Sequence, residues 1–192
     1  MIHETIITTL NADGTTHIAP MGLRREHGLY LIAPFKPSTT LENLLRTRQA
    51  VVNLTDDVTI FAGCLSGRHD WPCRPAEVVE GRVLEAALAH VELQVERIEE
   101  DENRPRFYCR PVHHGNHAPF AGFNRAQAAV IEAAILVSRL SMLPDEKIDS
   151  EMAYLQIAVD KTAGDRERRA WDWLVDRIRR YRNERKTQAA QS

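Results

Sequence analysis

Between Thr15 and Asp57 the chain alternates short apolar runs with tight-turn residues, and one capped helix interrupts the pattern. No other feature limits the fold as much. Glu4 to Leu10, rich in Thr and Ile, favours a strand, and Asn11-Ala12-Asp13-Gly14 supplies turn chemistry because Asp-Gly tolerates positive φ. Thr16 to Leu23 reads as the returning strand, Arg25 to Gly28 as a second turn, and Leu29 to Ala33 as a third strand. Strands joined so tightly form an antiparallel meander.

Pro34 and Pro37 hold Phe35-Lys36 extended, and the helix follows. Thr39 with Glu42 matches a capping box, and Leu41, Leu44 and Leu45 form the apolar face. Gln49 to Leu54 reads as a buried strand, Asp56 to Cys64 as a short helix or an irregular segment, and Ser66 to Pro75 as a loop. Strands are expected at Val78–Leu84, His90–Ile98 and Phe107–Val112, with Glu92 to Glu100 forming a solvated face. From Asn124 the pattern is helical. An Ala-rich helix covers Ala126–Leu140, a second opens at Pro144 with Met152, Leu155 and Ile157, and Gly164 breaks it. A third runs from Arg166 to Tyr181 with Trp171, Leu174, Val175 and Ile178 on one stripe. The expected fold is mainly β with C-terminal helices, an α+β chain. Residues 1–122 form a β-barrel domain, 123–182 a helical region packed on it, and 183–192 a flexible tail.

The net charge of -2 argues against a nucleic-acid binder held by bulk electrostatics. No stretch has the roughly 18 uncharged apolar residues of a membrane helix, and an N-terminus carrying Glu4 without a basic region is not a secretory signal. Three Cys without framework spacing indicate reduced thiols, hence a cytoplasmic protein.

The start of the helix is the first candidate for chemistry. Unpaired N–H groups and a partial positive charge suit a phosphate there, with Ser38, Thr39 and Thr40 as donors and Lys36 as the nearby cation. Capping alone also explains Thr39, and the two roles are compatible. In Ala19-Pro20-Met21-Gly22, Pro20 lacks an N–H and Gly22 a side chain, which suits either a β-bulge or a strand edge approached by a flat ligand. Asn43 and Asn53 sit in apolar runs and need partners, from the backbone or from a ligand, and Thr55 follows the strand. Arg24 and Arg46 read as surface cations or outer supports.

His113-His114-Gly115-Asn116-His117 competes for attention, because neutral imidazole binds Zn, Ni or Fe. Adjacent His113 and His114 point apart on a strand, however, and no carboxylate or thiol close in sequence completes a set, so no metal is assigned. Cys64, His69 and Cys73 are irregularly spaced and carry no assignment either. Trp71, Phe120, Trp171 and Trp173 fit packing better than stacking on a ligand.

Ala19 to Gly22, Pro34 to Leu44 and Ala50 to Asp57, joined by the run from Gly122 to Ile135, resemble the flavin-reductase-like split barrels, and within them the family called domain of unknown function 447. The resemblance spans about residues 2 to 181. It implies a six-stranded antiparallel split barrel, non-covalently bound FMN, and a homodimer with the flavin near the interface. It turns Ala19, Pro20, Met21, Gly22, Phe35, Lys36, Ser38, Thr39, Thr40, Asn43, Asn53 and Thr55 into candidate cofactor contacts. The implied activity is that of an FMN-dependent oxidoreductase with no assigned catalytic residue. NAD(P)H or a pterin-like small molecule is its expected partner, and no G-x-G-x-x-G fingerprint is present. The alternatives are a non-catalytic flavin carrier, sensor or subunit, and a metal protein using the His113–His117 loop.

Overall fold

The computed structural model describes residues 1–191, and two compact units emerge, one built from residues 1–56 and 69–120 and the other from 57–68 and 121 onward. In the first, β1 (Ile2–Leu10), β2 (Thr16–Glu26), β3 (Leu29–Ile32), β8 (Arg106–Asn116), β7 (Ala89–Glu99) and β4 (Gln49–Leu54) close a six-stranded antiparallel barrel in that order. A short ribbon of β5 (Cys73–Pro75) and β6 (Arg82–Leu84) lies outside that order. Ile7, Leu23, Ile32, Val52, Val91, Leu93 and Phe107 fill the interior, and Leu41 and Leu44 of α1 (Thr39–Thr47) join them. The apolar face read from Leu41, Leu44 and Leu45 therefore holds at its first two positions, while Leu45 is exposed.

The short β3 splits the barrel. It pairs with Arg24–Glu26 of β2 and with Phe107–Cys109 of β8. Among the described residues the ladder on that side does not continue along Thr16–Leu23 or along Arg110–Asn116, so two strand edges diverge there.

A second layer explains why Val78–Leu84, a β-rich run, is not a strand over its whole length. Its backbone bonds to side chains on the strands beneath. Glu92 accepts from the N–H groups of Glu77, Val78 and Val79, each at 2.7 Å, and Gln49 accepts from Glu80 at 2.9 Å. Asn53 Oδ1 accepts from Leu84 at 2.8 Å, Thr8 donates to Arg82 O, and Thr55 donates to Ala86 O. Only Arg82–Leu84 is left to pair as β6. Glu92, expected on a solvated face, is fully buried because this layer covers it.

In the second unit α2 (Val58–Leu65), α3 (Arg125–Val137), α4 (Asp145–Thr162) and α5 (Asp165–Gln191) share one core, with Val58 and Ala62 against Val130, Ala133, Trp171 and Leu174. The ambiguous segment after Asp56 is thus a helix, capped by Asp57 accepting from Thr59 N. Val175 and Ile157, expected inside, are exposed. The segment expected as a tail continues α5 to Gln191, as its Arg, Glu, Lys and Ala content favours, and Ser192 lies outside the described residues.

Asn124 holds this unit together locally. Its Oδ1 accepts from Ala126 and Gln127 N–H at the start of α3, and its Nδ2 donates to Thr162 O at the end of α4. Asn124→Ala is expected to cost about 1–2 kcal/mol, the range for losing an N-cap side chain, read as a lower urea midpoint at unchanged slope.

Candidate functional site

The cap of α1 lies one residue earlier than the capping box suggests. Ser38, extended at φ -160 and ψ 149, accepts from Leu41 N at 3.3 Å, and Leu41 carries the apolar anchor. Thr39 is then the first helical residue, and Glu42 lies one place too far along to reach back. The first backbone bond within the helix is Glu42 N to Ser38 O. The N–H groups of Thr39 and Thr40 precede it, which leaves them as the donors of the helix start. Thr40 itself is buried, its Oγ1 3.2 Å from His17 Nε2 on β2. Burial, with neighbouring His69 second, lowers the His17 pKa, so this imidazole is neutral at pH 7.

Ala19, Pro20, Met21 and Gly22 lie on β2, paired with Ile7, Ile6, Thr5 and Glu4 of β1 on one edge. Their other edge is the diverging one described above. Met21 packs into the barrel core. Gly22 has a steric reason of its own: a Cβ there would meet Ile2 Cγ2 at 2.9 Å. Phe35 is exposed, with the Arg104 guanidinium 4.2 Å above its ring. Lys36 is tied to the β7–β8 turn, donating to Glu100 and to Asp101 O. It is solvent-accessible, so the pair holds it weakly.

Three candidates do not join this group as free ligands. Asn53 is fully buried and its amide is used up by Ile6 O, Thr8 Oγ1 and Leu84 N, so it is a backbone clamp. Thr55 serves the outer layer. Asn43 donates to Thr9 and Asn11 and ties α1 to the β1–β2 hairpin, where Arg46 also binds Leu10 O. A hollow of ≈ 530 Å³ lies over this junction, lined by Asn11, Asp13, Thr39, Glu42, Asn43 and Arg46 among others. Arg24 lies on β2, exposed.

The histidine segment is not a loop. β8 continues through it to Asn116, pairing Glu92 with His113, His90 with Gly115 and Ala89 with Asn116. Directly opposed residues share a face, so His90, Glu92, His113 and Gly115 point to one side and His114 to the other. His90 and Glu92 were invisible to sequence reasoning as site residues. His90 is buried, its Nε2 3.3 Å from Glu92 Oε1 and its Nδ1 2.8 Å from His117 Nε2. The His90 and His117 rings stack at 5.0 Å. Burial raises the Glu92 pKa, but the hydrogen bonds from Val79, Glu77 and Val78 N–H and from His90 outweigh it, and the net shift is downward. Glu77 Oε2 lies 3.3 Å from His113 Nε2. Arg74 contacts both ring nitrogens of His117, whose pKa is lowered by burial first and by Arg74 next.

Of the thiols, burial lifts Cys64 to about 11 and Cys109 to about 12, and raises Cys73. None is a ready nucleophile.

Residues 3–118 match the sequence model described as the N-terminal domain of a protein of unknown function, DUF447, and residues 124–176 match its C-terminal counterpart. No curated protein matches the sequence. Among solved structures the chain is similar to an FMN-bound protein of the same family from Methanosarcina mazei, at 21% identity and a TM-score of 0.81, covering 92% of this chain and 94% of that one. An NADH:FAD oxidoreductase of Streptomyces globisporus C-1027 follows at 14% identity and a TM-score of 0.52, covering 60% of this chain and 76% of that one. An FMN-binding protein of Thermus thermophilus, with bound 1-cyclohex-2-enone, has 13% identity and a TM-score of 0.52, covering 60% and 71%.

Proposed function

We propose that this chain, which belongs to the family of proteins of unknown function DUF447, is an FMN-binding flavoprotein and an oxidoreductase of the flavin-reductase type. The observation that carries the reading is the open start of α1, where the Thr40 side chain meets His17 of β2, in a six-stranded barrel whose β2–β3 ladder covers only Arg24–Glu26 of β2 among the described residues. A flavin phosphate needs several N–H donors at one point, and the Thr39 and Thr40 N–H groups supply them with the helix dipole behind. Ser38 holds that helix start in register. Lys36 is near enough in sequence to trade its exposed carboxylate for a phosphate. Backbone groups of Ala19 to Gly22 that neither β1 nor the Thr5 hydroxyl, bound to Met21 O, takes up would hydrogen-bond a flat heteroaromatic edge, and neutral His17 supports Thr40. FMN, when bound, supplies the hydride and electron chemistry, and the chain orients it and shields one of its faces. A small-molecule partner such as NAD(P)H or a pterin, and a homodimer around the flavin, complete the proposal.

The first experiment compares FMN with riboflavin, which lacks the phosphate. FMN is expected to co-elute with the protein as visible flavin bands and to bind at least about tenfold more tightly than riboflavin, the value of one or two charge-assisted hydrogen bonds. Thr39→Pro removes one of the two N–H groups, yet proline suits the first helical position and Ser38 is already extended. That variant should lose most of the FMN preference and keep its riboflavin affinity. No flavin bound at excess FMN would sink the whole reading. Equal affinities for both would remove the phosphate from α1. Oxidation of NAD(P)H by the FMN-loaded protein then separates an enzyme from a carrier.

A further inference from the structure

We infer that Glu77, His90 and His113 form a binding site for one divalent transition-metal ion of the zinc class, on the outer face of β7 and β8. One donor atom from each of the three lies within 4.8 Å of the other two. Two imidazoles and a carboxylate are a donor set that such ions take, with a remaining position open to water.

Three features indicate a built site. The β7–β8 register brings the histidines to one face, with His90 opposite Gly115 and His113 opposite Glu92. Gly115 is the residue that makes room, because a Cβ there would lie 2.3 Å from His90 Cε1 and 2.6 Å from its Nδ1. Glu77 comes from a different segment, and Glu92 fixes it by accepting the Glu77 and Val78 N–H groups. The same Glu92 carboxylate faces His90 Nε2. An ionised carboxylate only accepts, so Nε2 carries the proton and Nδ1 is the ligating nitrogen; Nδ1 lies 2.8 Å from His117 Nε2, and a bound ion takes the place of that contact. A carboxylate holding the far side of a ligating imidazole is the usual second layer of a metal site.

The distances suit an ion. Glu77 Oε2 and His113 Nε2 are 3.3 Å apart, the separation of two ligand atoms around a tetrahedral Zn2+ with bonds of about 2.0 Å. Glu77 is exposed and His113 half-buried, so both can close on an ion while buried His90 stays fixed. The Arg74 guanidinium against both nitrogens of His117 keeps that residue out of the ligand set. Glu77 and Glu92 balance the charge of a divalent ion.

The test uses purified, chelator-treated full-length protein titrated with Zn2+ alone. We expect one Zn2+ per chain, and about tenfold or greater weakening in each of Glu77→Gln and His113→Ala, whose side chains are outside the core. His114→Ala, on the opposite face of β8, should bind as the parent does. X-ray absorption at the zinc edge should show nitrogen and oxygen neighbours only. Absence of bound zinc at excess, less than threefold weakening in both ligand variants, equal loss in His114→Ala, or a sulfur neighbour would each overturn the assignment. None of these readouts depends on flavin.

Discussion

Glu92→Ala is expected to destabilise the barrel unit by about 3–4 kcal/mol, the largest single-residue effect outside the apolar core. The carboxylate is fully buried and accepts from three consecutive backbone N–H groups at 2.7 Å and from His90. Hydrogen bonds to a charged acceptor contribute about 1.5–3 kcal/mol each, but Glu77 and Val78 can recruit water once it is gone. The Val79 N–H is the one left unpaired in the interior. Loss of the clamp also frees the segment 76–80, so early hydrogen exchange should concentrate there.

Glu92→Gln separates charge from volume. It keeps the shape but presents an amide N–H2 to one of the N–H donors, and about 2 kcal/mol should be lost. The pH dependence has a definite sign. The folded-state pKa of Glu92 lies below its ordinary 4.5, so the unfolded chain binds more protons in that interval. The contribution is present above about pH 4.5 and is lost as pH falls through the lower folded value. In chelator-treated protein, the parent should therefore lose more stability than Glu92→Gln on acidification from about pH 5 to 3. Parallel urea midpoints over that range would show that the carboxylate is not the clamp.

The parts of the chain legible in the sequence were those fixed by local chemistry. The β1–β2–β3 meander follows from Asp13-Gly14 and from His27-Gly28, whose residues all but Asp13 have positive φ, and β4 was bounded correctly at both ends. The helix was legible, but Ser38 and Thr39 both fit a cap, and the choice rests on where Leu41 must point. What escaped was non-local. Alternation along β7 marks Glu92 as solvent-facing unless one knows that residues 76–87 fold over it. Val78–Leu84 has strand composition, yet its backbone partners are side chains from three other strands. His113 to Asn116 has loop composition, and only the opposing residues Ala89 to Glu92 draw it into β8. Of the candidate cofactor contacts, Ser38, Thr39 and Thr40 share the start of α1, and Thr40 is tied to β2 through His17. Asn53 belongs elsewhere, since its amide is held by Ile6 O, Thr8 Oγ1 and Leu84 N.

Gly115→Ala is the second large effect, and it links the β8 register to the histidine cluster. The position gives no sign in sequence beyond a glycine between a histidine and an asparagine, and its backbone has no positive φ to justify glycine. The reason is the space. The added methyl would overlap the His90 ring and touch His117 Cε1 at 3.0 Å. His90 cannot swing freely, held by Glu92 at one nitrogen and stacked on His117 at the other side. Overpacking of this kind costs about 1–3 kcal/mol, and breaking the His90–Glu92 contact puts Gly115→Ala at the upper end, about 3 kcal/mol. The clash predicts its own rescue. In His90→Ala the space is vacated, so adding Gly115→Ala should cost almost nothing more, and the two changes should be non-additive by about 3 kcal/mol in a double-mutant cycle. Additive losses would mean that Gly115 serves the strand backbone rather than the imidazole. Zinc retention by Gly115→Ala equal to the parent's would show that the His90 ring need not stay where Gly115 now lets it lie.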